Sequence, residues 1–291
     1  MTARTPVVAV EPLPPTLIEQ PVRLALAEDL GRAGDVTSAA TIDAKARCRG
    51  LIVARQAGRI AGIDAVRTVF EVLDPRMRLH VEAGDGCEVQ PGDLIAEIVS
   101  ETRTVLMGER VALNFLGQLS GVATATAKLV KLCEGTKARV TCTRKTVPGL
   151  RALQKYAVRC GGGSNHRFGL DDAILIKDNH IAAVGGVSAA VQAARRHAGH
   201  MVKIEVEVDS LDQLEEALAL KVDTILLDNM SPAMLREAVK ITAGRAVLEA
   251  SGNVTEKTIA AIAATGVDYI SSGAITHSAK CLDVALDVSP G

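Results

Sequence analysis

The sequence contains no tryptophan, two tyrosines and three phenylalanines in 291 residues. It also lacks any charge excess: 33 Lys and Arg stand against 34 Asp and Glu, a formal net of −1. Such a chain has neither the basic stripe nor the stacking platforms of a general nucleic-acid binder, so no nucleic-acid partner is expected. No apolar run approaches the ~18 residues that suggest a membrane span, and no membrane association is expected. From Met1 to Pro15 there is one Arg, a proline-rich end and no apolar core of the kind a secretory signal carries. The six cysteines, Cys48, Cys87, Cys133, Cys142, Cys160 and Cys281, are scattered, with no Cys-x-x-Cys pair. That spacing offers no legible zinc site and argues against a disulfide framework in so long a chain. A reduced, cytoplasmic protein is the expectation.

What is present is apolar substance. Apolar residues make up 48% and charged residues 23%, enough for a sizeable core in one large domain or two ordinary ones. Up to about residue 105 the pattern is mixed. An amphipathic helix is predicted over 21–30, a turn over 31–35, strands over 47–55, 78–82 and 93–99, and a helix over 62–73. Glycines and a proline between 84 and 92 mark a tight turn. Helix with antiparallel strand indicates an α+β domain. Residues 104–133 are helix-compatible, with an interruption expected near Ser120-Gly121.

From residue 138 the rhythm changes. Apolar runs over 138–143, 173–176, 202–208, 224–227, 246–250 and 269–271 alternate with helical segments such as 211–219, 233–242 and 256–264. Alternating β and α units argue for a parallel sheet closing towards a barrel. About 150 residues fall short of the ~250 of a complete α/β barrel, so an incomplete barrel is predicted.

Each of the six runs ends in a polar cluster. These are Thr143-Arg144-Lys145, Lys177-Asp178-Asn179-His180, Glu207 with Asp209, Asp228-Asn229, Ser251-Gly252-Asn253 and Ser272-Gly273-Ala274. Polar residues mark many strand ends, and any one cluster alone would mean little. Six in succession converge on the C-terminal mouth, where barrel active sites lie. Arg144, Lys145, Lys177 and the nearby His166-Arg167 are cationic or can become so, which points to a highly anionic small molecule. Guanidinium groups suit carboxylates and phosphates through paired contacts, whereas lysines act as point charges. Glu207 and Asp228 on consecutive strands suit a hard divalent cation such as Mg²⁺. The two Ser-Gly loops expose backbone N–H groups at the final strands, a common phosphate site in barrels. Gly161-Gly162-Gly163 reads either as a hinge or as a mobile loop carrying His166 and Arg167 over the substrate. Arg110, taken alone, reads as a solvated helix position.

These segments together closely resemble quinolinate phosphoribosyltransferases. The resemblance is carried by 109–114, 143–151, 161–167, 176–180, 205–209, 226–229, 251–253 and 272–277, and it runs from about residue 20 to residue 288. It implies an N-terminal α+β sandwich-like domain over 1–117 and an incomplete, about seven-stranded α/β barrel over 118–291, whose last residues could pack back on the first domain. It implies a reaction of quinolinate with phosphoribosyl pyrophosphate, giving nicotinate mononucleotide, pyrophosphate and CO₂ in NAD biosynthesis, with Mg²⁺. It assigns Arg144, His166, Arg167 and Lys177 to quinolinate, joined by Arg110 from a neighbouring subunit of a homodimer or larger homo-oligomer. That assignment displaces the solvated reading of Arg110. Thr143, Lys145, Glu207 and Asp228 fall to the ribose, pyrophosphate and metal, with Lys145, Glu207 and Asp228 as catalytic groups. The loops Ser251, Gly252, Asn253 and Ser272, Gly273, Ala274 fall to the 5′-phosphate.

The chemistry of the residues agrees with this. Two adjacent ring carboxylates explain several cations around a small planar ligand, and loss of pyrophosphate from a ribose builds oxocarbenium character that carboxylates can stabilise. The pyridine nitrogen is its own nucleophile, so no Ser or Cys is required. Rival readings are a same-fold enzyme for another acid such as nicotinate, a paralogue linked to molybdenum uptake, and a non-catalytic sugar-phosphate-binding barrel. An aldolase-like barrel would need a Schiff-base lysine in an apolar pocket, and Lys145 and Lys177 have polar neighbours.

Overall fold

A computed structural model of the chain describes residues 6–290. The chain forms two compact units, each discontinuous in sequence. The first comprises residues up to Ala127, Thr146–Gly162 and the segment from Ser278 onward, and the second comprises Lys128–Lys145 and Gly163–His277. No helix among the described residues is long and apolar enough to cross a membrane.

The chain opens with α1 (Pro15–Leu30) and α2 (Val36–Thr41). Helix α1 starts earlier than the predicted Pro21. Pro15 occupies the first helical position, where its missing N–H is harmless, and Ile18, Val22 and Leu26 form one buried stripe. Helix α2 follows the predicted turn over 31–35, in a stretch for which no element was predicted, and is nucleated by Asp35, whose carboxylate accepts the Ser38 N–H at 3.0 Å.

Next come β1 (Arg47–Ala54), β2 (Gly58–Arg59), α3 (Ile63–Leu73), β3 (Arg78–Val81), β4 (Glu88–Val89), β5 (Leu94–Glu101) and α4 (Thr102–Leu132). β1, β3, β5 and α3 lie where the pattern placed them. Helix α4, however, runs unbroken through Ser120-Gly121, against expectation. Both residues serve packing rather than a break. Ser120 Oγ accepts the Ala61 N–H at 3.0 Å, and a Cβ on Gly121 would lie 2.2 Å from the Lys280 carbonyl oxygen. Half-buried Asp85 holds the start of α3, accepting the Ile63 N–H at 3.0 Å and the Tyr156 hydroxyl at 2.7 Å.

The second half alternates. It runs β6 (Arg139–Thr141), α5 (Arg151–Cys160), β7 (Ile174–Ile176), α6 (Asp178–Val184), α7 (Val187–His197), β8 (Ile204–Val208) and α8 (Leu211–Ala219). Then follow β9 (Thr224–Asp228), α9 (Pro232–Thr242), β10 (Val247–Ser251), α10 (Ile259–Ala263), β11 (Tyr269–Ser271), α11 (Ala274–His277) and β12 (Val284–Pro290).

In the first unit, β12, β1, β5 and β3 form an antiparallel sheet in that order, and β2 pairs with β4. In the second, six parallel strands run in the order β6-β11-β10-β9-β8-β7. Among the described residues no pairing joins β6 to β7, so the barrel is incomplete. The six strands are the six predicted runs.

Strand periodicity then decides what faces the mouth. In β8, Val206 and Val208 are buried on one face while Glu205 and Glu207 point to the other. Register aligns the neighbours: Glu207 stands opposite Leu226, Leu226 opposite Glu249, and Asp228 opposite Ser251. Carboxylates from β8, β9 and β10 therefore share one face of the sheet. The other face, with fully buried Ile225 and Leu227, packs as ordinary core, each such side chain contributing ~1.5–3 kcal/mol.

Candidate active site

The C-terminal ends of the parallel strands surround a cavity of about 770 Å³. Its lining includes Thr143, Arg144 and Lys145 after β6, Lys177 after β7, Glu207 on β8, Asp228 on β9, and Glu249 and Ser251 on β10. Every predicted site residue except Arg110 lines this one cavity, within the second unit.

Its charge is organised by sector. Lys177 Nζ donates to Glu207 Oε2. Thr143 Oγ1 accepts the Lys145 N–H at 3.0 Å, and Thr276 Oγ1 donates to the Lys145 carbonyl at 2.7 Å, which fixes the loop after β6. The segment carrying His166 and Arg167 is anchored as well. Ser164 forms a parallel bridge with Thr141, its N–H donates to the Val140 carbonyl at 2.8 Å, and Thr141 Oγ1 donates to the Ser164 carbonyl at 3.1 Å. The glycine run leads into this ledge, held at Ser164. Arg167 donates to the Ala173 carbonyl at 2.9 Å. Burial, then the like charge of Arg144, pushes its guanidinium down from the ordinary arginine value.

His166 sits low in this space. Its Nδ1 accepts the Arg167 N–H at 2.7 Å, which leaves Nε2 as the protonated nitrogen facing Glu205 Oε2 at 2.9 Å. Glu249 Oε1 is 3.7 Å from the same Nε2. Glu205 and Glu249 are both buried, and among the described residues Glu205 Oε1 and Glu249 Oε1 have no hydrogen-bond partner. Burial, reinforced by the charge of Glu205 and opposed by His166, pushes the Glu249 carboxyl up to about 7. The ligand atoms of this trio lie within 4.8 Å of one another.

The small-residue loops have a steric reason for their composition. Gly252 adopts φ +96°, and a Cβ there would meet Asn229 Oδ1 at 2.1 Å. Asn229 and Asn253 take left-handed φ values of 53° and 51°, and Asn253 Nδ2 donates to Asn229 Oδ1 at 3.3 Å. Asn229 also donates from Nδ2 to Asp228 Oδ2 at 2.8 Å, so the loop after β10 braces an acid on β9. Gly273 is likewise close-packed, with Lys145 Cδ 2.9 Å from where its Cβ would stand.

Arg110 stands apart. It is exposed on α4, beside a separate cavity of about 260 Å³ in the first unit with Glu28, Asp29, Asn114 and Gln118.

Comparison with known proteins decides what this arrangement belongs to. Residues 35–120 match the quinolinate phosphoribosyl transferase N-terminal domain, and residues 122–287 match the C-terminal domain of the same family. The chain belongs to the quinolinate phosphoribosyl transferase family. Relatives include a probable nicotinate-nucleotide pyrophosphorylase (carboxylating) of Bacillus subtilis, 45% identical over 262 residues and 90% of each chain. The Mycobacterium leprae nicotinate-nucleotide pyrophosphorylase (carboxylating) is 46% identical, covering 92% of this chain and 95% of its own. Among solved structures, NadC from Streptococcus pyogenes superposes with a TM-score of 0.94 at 42% identity, over 97% of this chain and 100% of the other.

Within this family fold, the sequence pattern did not single out Glu205, Glu249 and His277 as cavity or cavity-floor residues. A signal for Glu249 was present: it lies two residues before Ser251, so period-2 alternation puts both on the same face.

Proposed function

We propose that the protein transfers the phosphoribosyl group of phosphoribosyl pyrophosphate to quinolinate with decarboxylation, giving nicotinate mononucleotide, pyrophosphate and CO₂. The observation that carries this reading is one cavity lined by Arg144, Arg167 and Lys177 together with Glu207 and Asp228. A dianionic ring acid matches the first group, and a sugar centre becoming cationic matches the second. The family and its carboxylating relatives support the same reaction.

The residues divide the work. Arg144, Arg167 and Lys177 hold the two carboxylates and orient the ring nitrogen towards the anomeric carbon, so the step becomes effectively intramolecular. His166, whose one N–H is directed at Glu205, lines the same cavity without a donor to spare for a carboxylate. Glu207 and Asp228 stabilise positive charge on the ribose, while Lys145 offsets charge on the departing pyrophosphate. The Ser251–Asn253 and Ser272–Ala274 loops accept the 5′-phosphate through backbone N–H groups, with Gly252 and Gly273 holding the close approach of each loop. Two hard carboxylate donors on adjacent strands of one cavity fit a divalent cation, and Glu207 and Asp228 would hold Mg²⁺ directly or through water. Bound there, the ion would supply charge neutralisation for the diphosphate.

We place the enzyme in the cytoplasm as a homodimer or larger homo-oligomer, with Arg110 of each subunit reaching quinolinate in a neighbour's site. Free cysteines throughout and an exposed Arg110 on α4 support this placement. Release of labelled CO₂ from quinolinate, with and without phosphoribosyl pyrophosphate, tests the function. Release that depends on both substrates is expected, and turnover of nicotinate in place of quinolinate would overturn it.

A further inference from the structure

Loss of CO₂ from a ring carbon leaves an electron pair that must be protonated, and none of the site groups named above has that task. Arg144, Arg167, Lys145 and Lys177 are cations held for anion binding. Glu207 is already paired with Lys177. A group suited to the task would line the cavity, carry a proton near neutrality and be shielded from bulk water.

Glu249 meets these conditions by position. It lies mid-strand on β10, on the same rung as Glu207 and one strand beyond Leu226, and it lines the cavity. The groups facing it are Glu205 from β8, His166 from the ledge before β7, the Ser271 hydroxyl from β11 and, more distantly, Lys177 after β7. Nε2 of His166 is directed at Glu205 at 2.9 Å and lies 3.7 Å from Glu249, so the single N–H serves Glu205 first. Two buried carboxylates with one N–H between them cannot both be ionised cheaply, and one must hold a proton. That one is the carboxyl less served by His166. Binding a dianionic ring acid nearby strengthens the same preference.

We propose that Glu249 is the proton donor for the decarboxylation step, with Glu205 and His166 holding it in its acid form. The inference rests on the decarboxylating reaction proposed above. The bond between the ring carbon and the departing carboxylate breaks, CO₂ leaves, and the electron pair stays on the ring carbon beside the quaternised nitrogen. That pair takes the carboxylic proton of Glu249, a C–H bond forms, and Glu249 is left as carboxylate until water at the cavity mouth reprotonates it. Burial keeps Glu249 protonated up to about pH 7, within the range where the acid is needed.

The test is a single-turnover comparison of wild type with Glu249→Gln, which keeps the shape but has no acidic proton. Pyrophosphate release and nicotinate mononucleotide formation are timed separately, and quinolinate affinity is measured by titration without the second substrate. In the variant, pyrophosphate release and quinolinate affinity should stay within about threefold of wild type while nucleotide formation slows by about 10²-fold. Wild-type nucleotide formation should fall as pH rises above about 7, a limb absent from the variant's residual rate. Nucleotide formation at the wild-type rate, or a parallel loss of quinolinate affinity and pyrophosphate release, would overturn the assignment. If Glu249→Gln does not fold, Glu249→Asp retains the acid on a shorter arm. It should keep the alkaline limb at a displaced pH with slower nucleotide formation, and an unchanged limb and rate would overturn the proposal. A wild-type enzyme that releases no CO₂ would instead overturn the proposed function itself.

Discussion

Ile176 of β7 is in register with Val206 of β8, so the next residues on the two strands, Lys177 and Glu207, stand side by side, and Lys177 Nζ donates to Glu207 Oε2. In the proposed division of the site, the pair ties a quinolinate-directed cation to a ribose-directed acid, so the ring site and the sugar site would share one hydrogen bond.

Glu207→Gln and Asp228→Asn should each reduce kcat by about 10²-fold or more and shift the Mg²⁺ concentration needed for half-maximal rate. In the proposed site both carboxylates would face a diphosphate, a placement that calls for positive charge between them. Steady-state rates across a Mg²⁺ titration check this. Near-normal kcat in both variants would remove the two acids from the mechanism.

Arg144→Ala and Arg167→Ala should weaken quinolinate binding by about 10- to 100-fold while changing phosphoribosyl pyrophosphate binding by much less. A charged hydrogen bond to a carboxylate is worth roughly 1.5–3 kcal/mol. Calorimetric titration with each substrate separately reads the contrast, and equal losses for both would contradict the division of the site.

Arg110→Ala and Lys177→Ala proteins, each nearly inactive alone, should regain activity when mixed under conditions that exchange subunits. In a mixed dimer with shared sites, one site carries both lesions and the other carries neither. If exchange is demonstrated with labelled subunits and no activity returns, Arg110 acts within its own chain.

Tyr156→Phe should destabilise the fold by roughly 1–3 kcal/mol, because it removes the hydroxyl that donates to half-buried Asp85 at 2.7 Å. Burial pushes the Asp85 carboxyl up from its ordinary value. The native state thus holds this proton more tightly than the unfolded chain does. The Asp85 contribution to stability should therefore fall as pH rises from the ordinary carboxylate range through the raised native value. Melting temperatures across that range should decline less for Asp85→Asn than for wild type.

The barrel was legible because its strands are short apolar runs that stop at charged residues, and Lys177, Glu207 and Asp228 sit at those stops. Glu249 was not singled out, because it interrupts the run over 246–250 without ending it; its alternation with Ser251 was the one signal, and its register with Leu226 sets it on the cavity face. Ser120-Gly121 read as a break because helix propensity is local, whereas the close approach of the Lys280 carbonyl, which requires a residue without a side chain, comes from far along the chain. Strand β12 went unread for a related reason. Its residues are largely half-exposed or exposed, so hydrophobic pattern does not mark it, and its pairing with β1 is what makes it a strand.

That pairing has a consequence for the order of synthesis. β1 emerges from the ribosome early, yet the strand along its second edge is made only after the whole barrel. Until then β1 offers a row of free N–H and C=O groups to any passing extended chain. The first unit therefore completes its sheet only after the second unit has been made, and its edge is open throughout translation of the barrel.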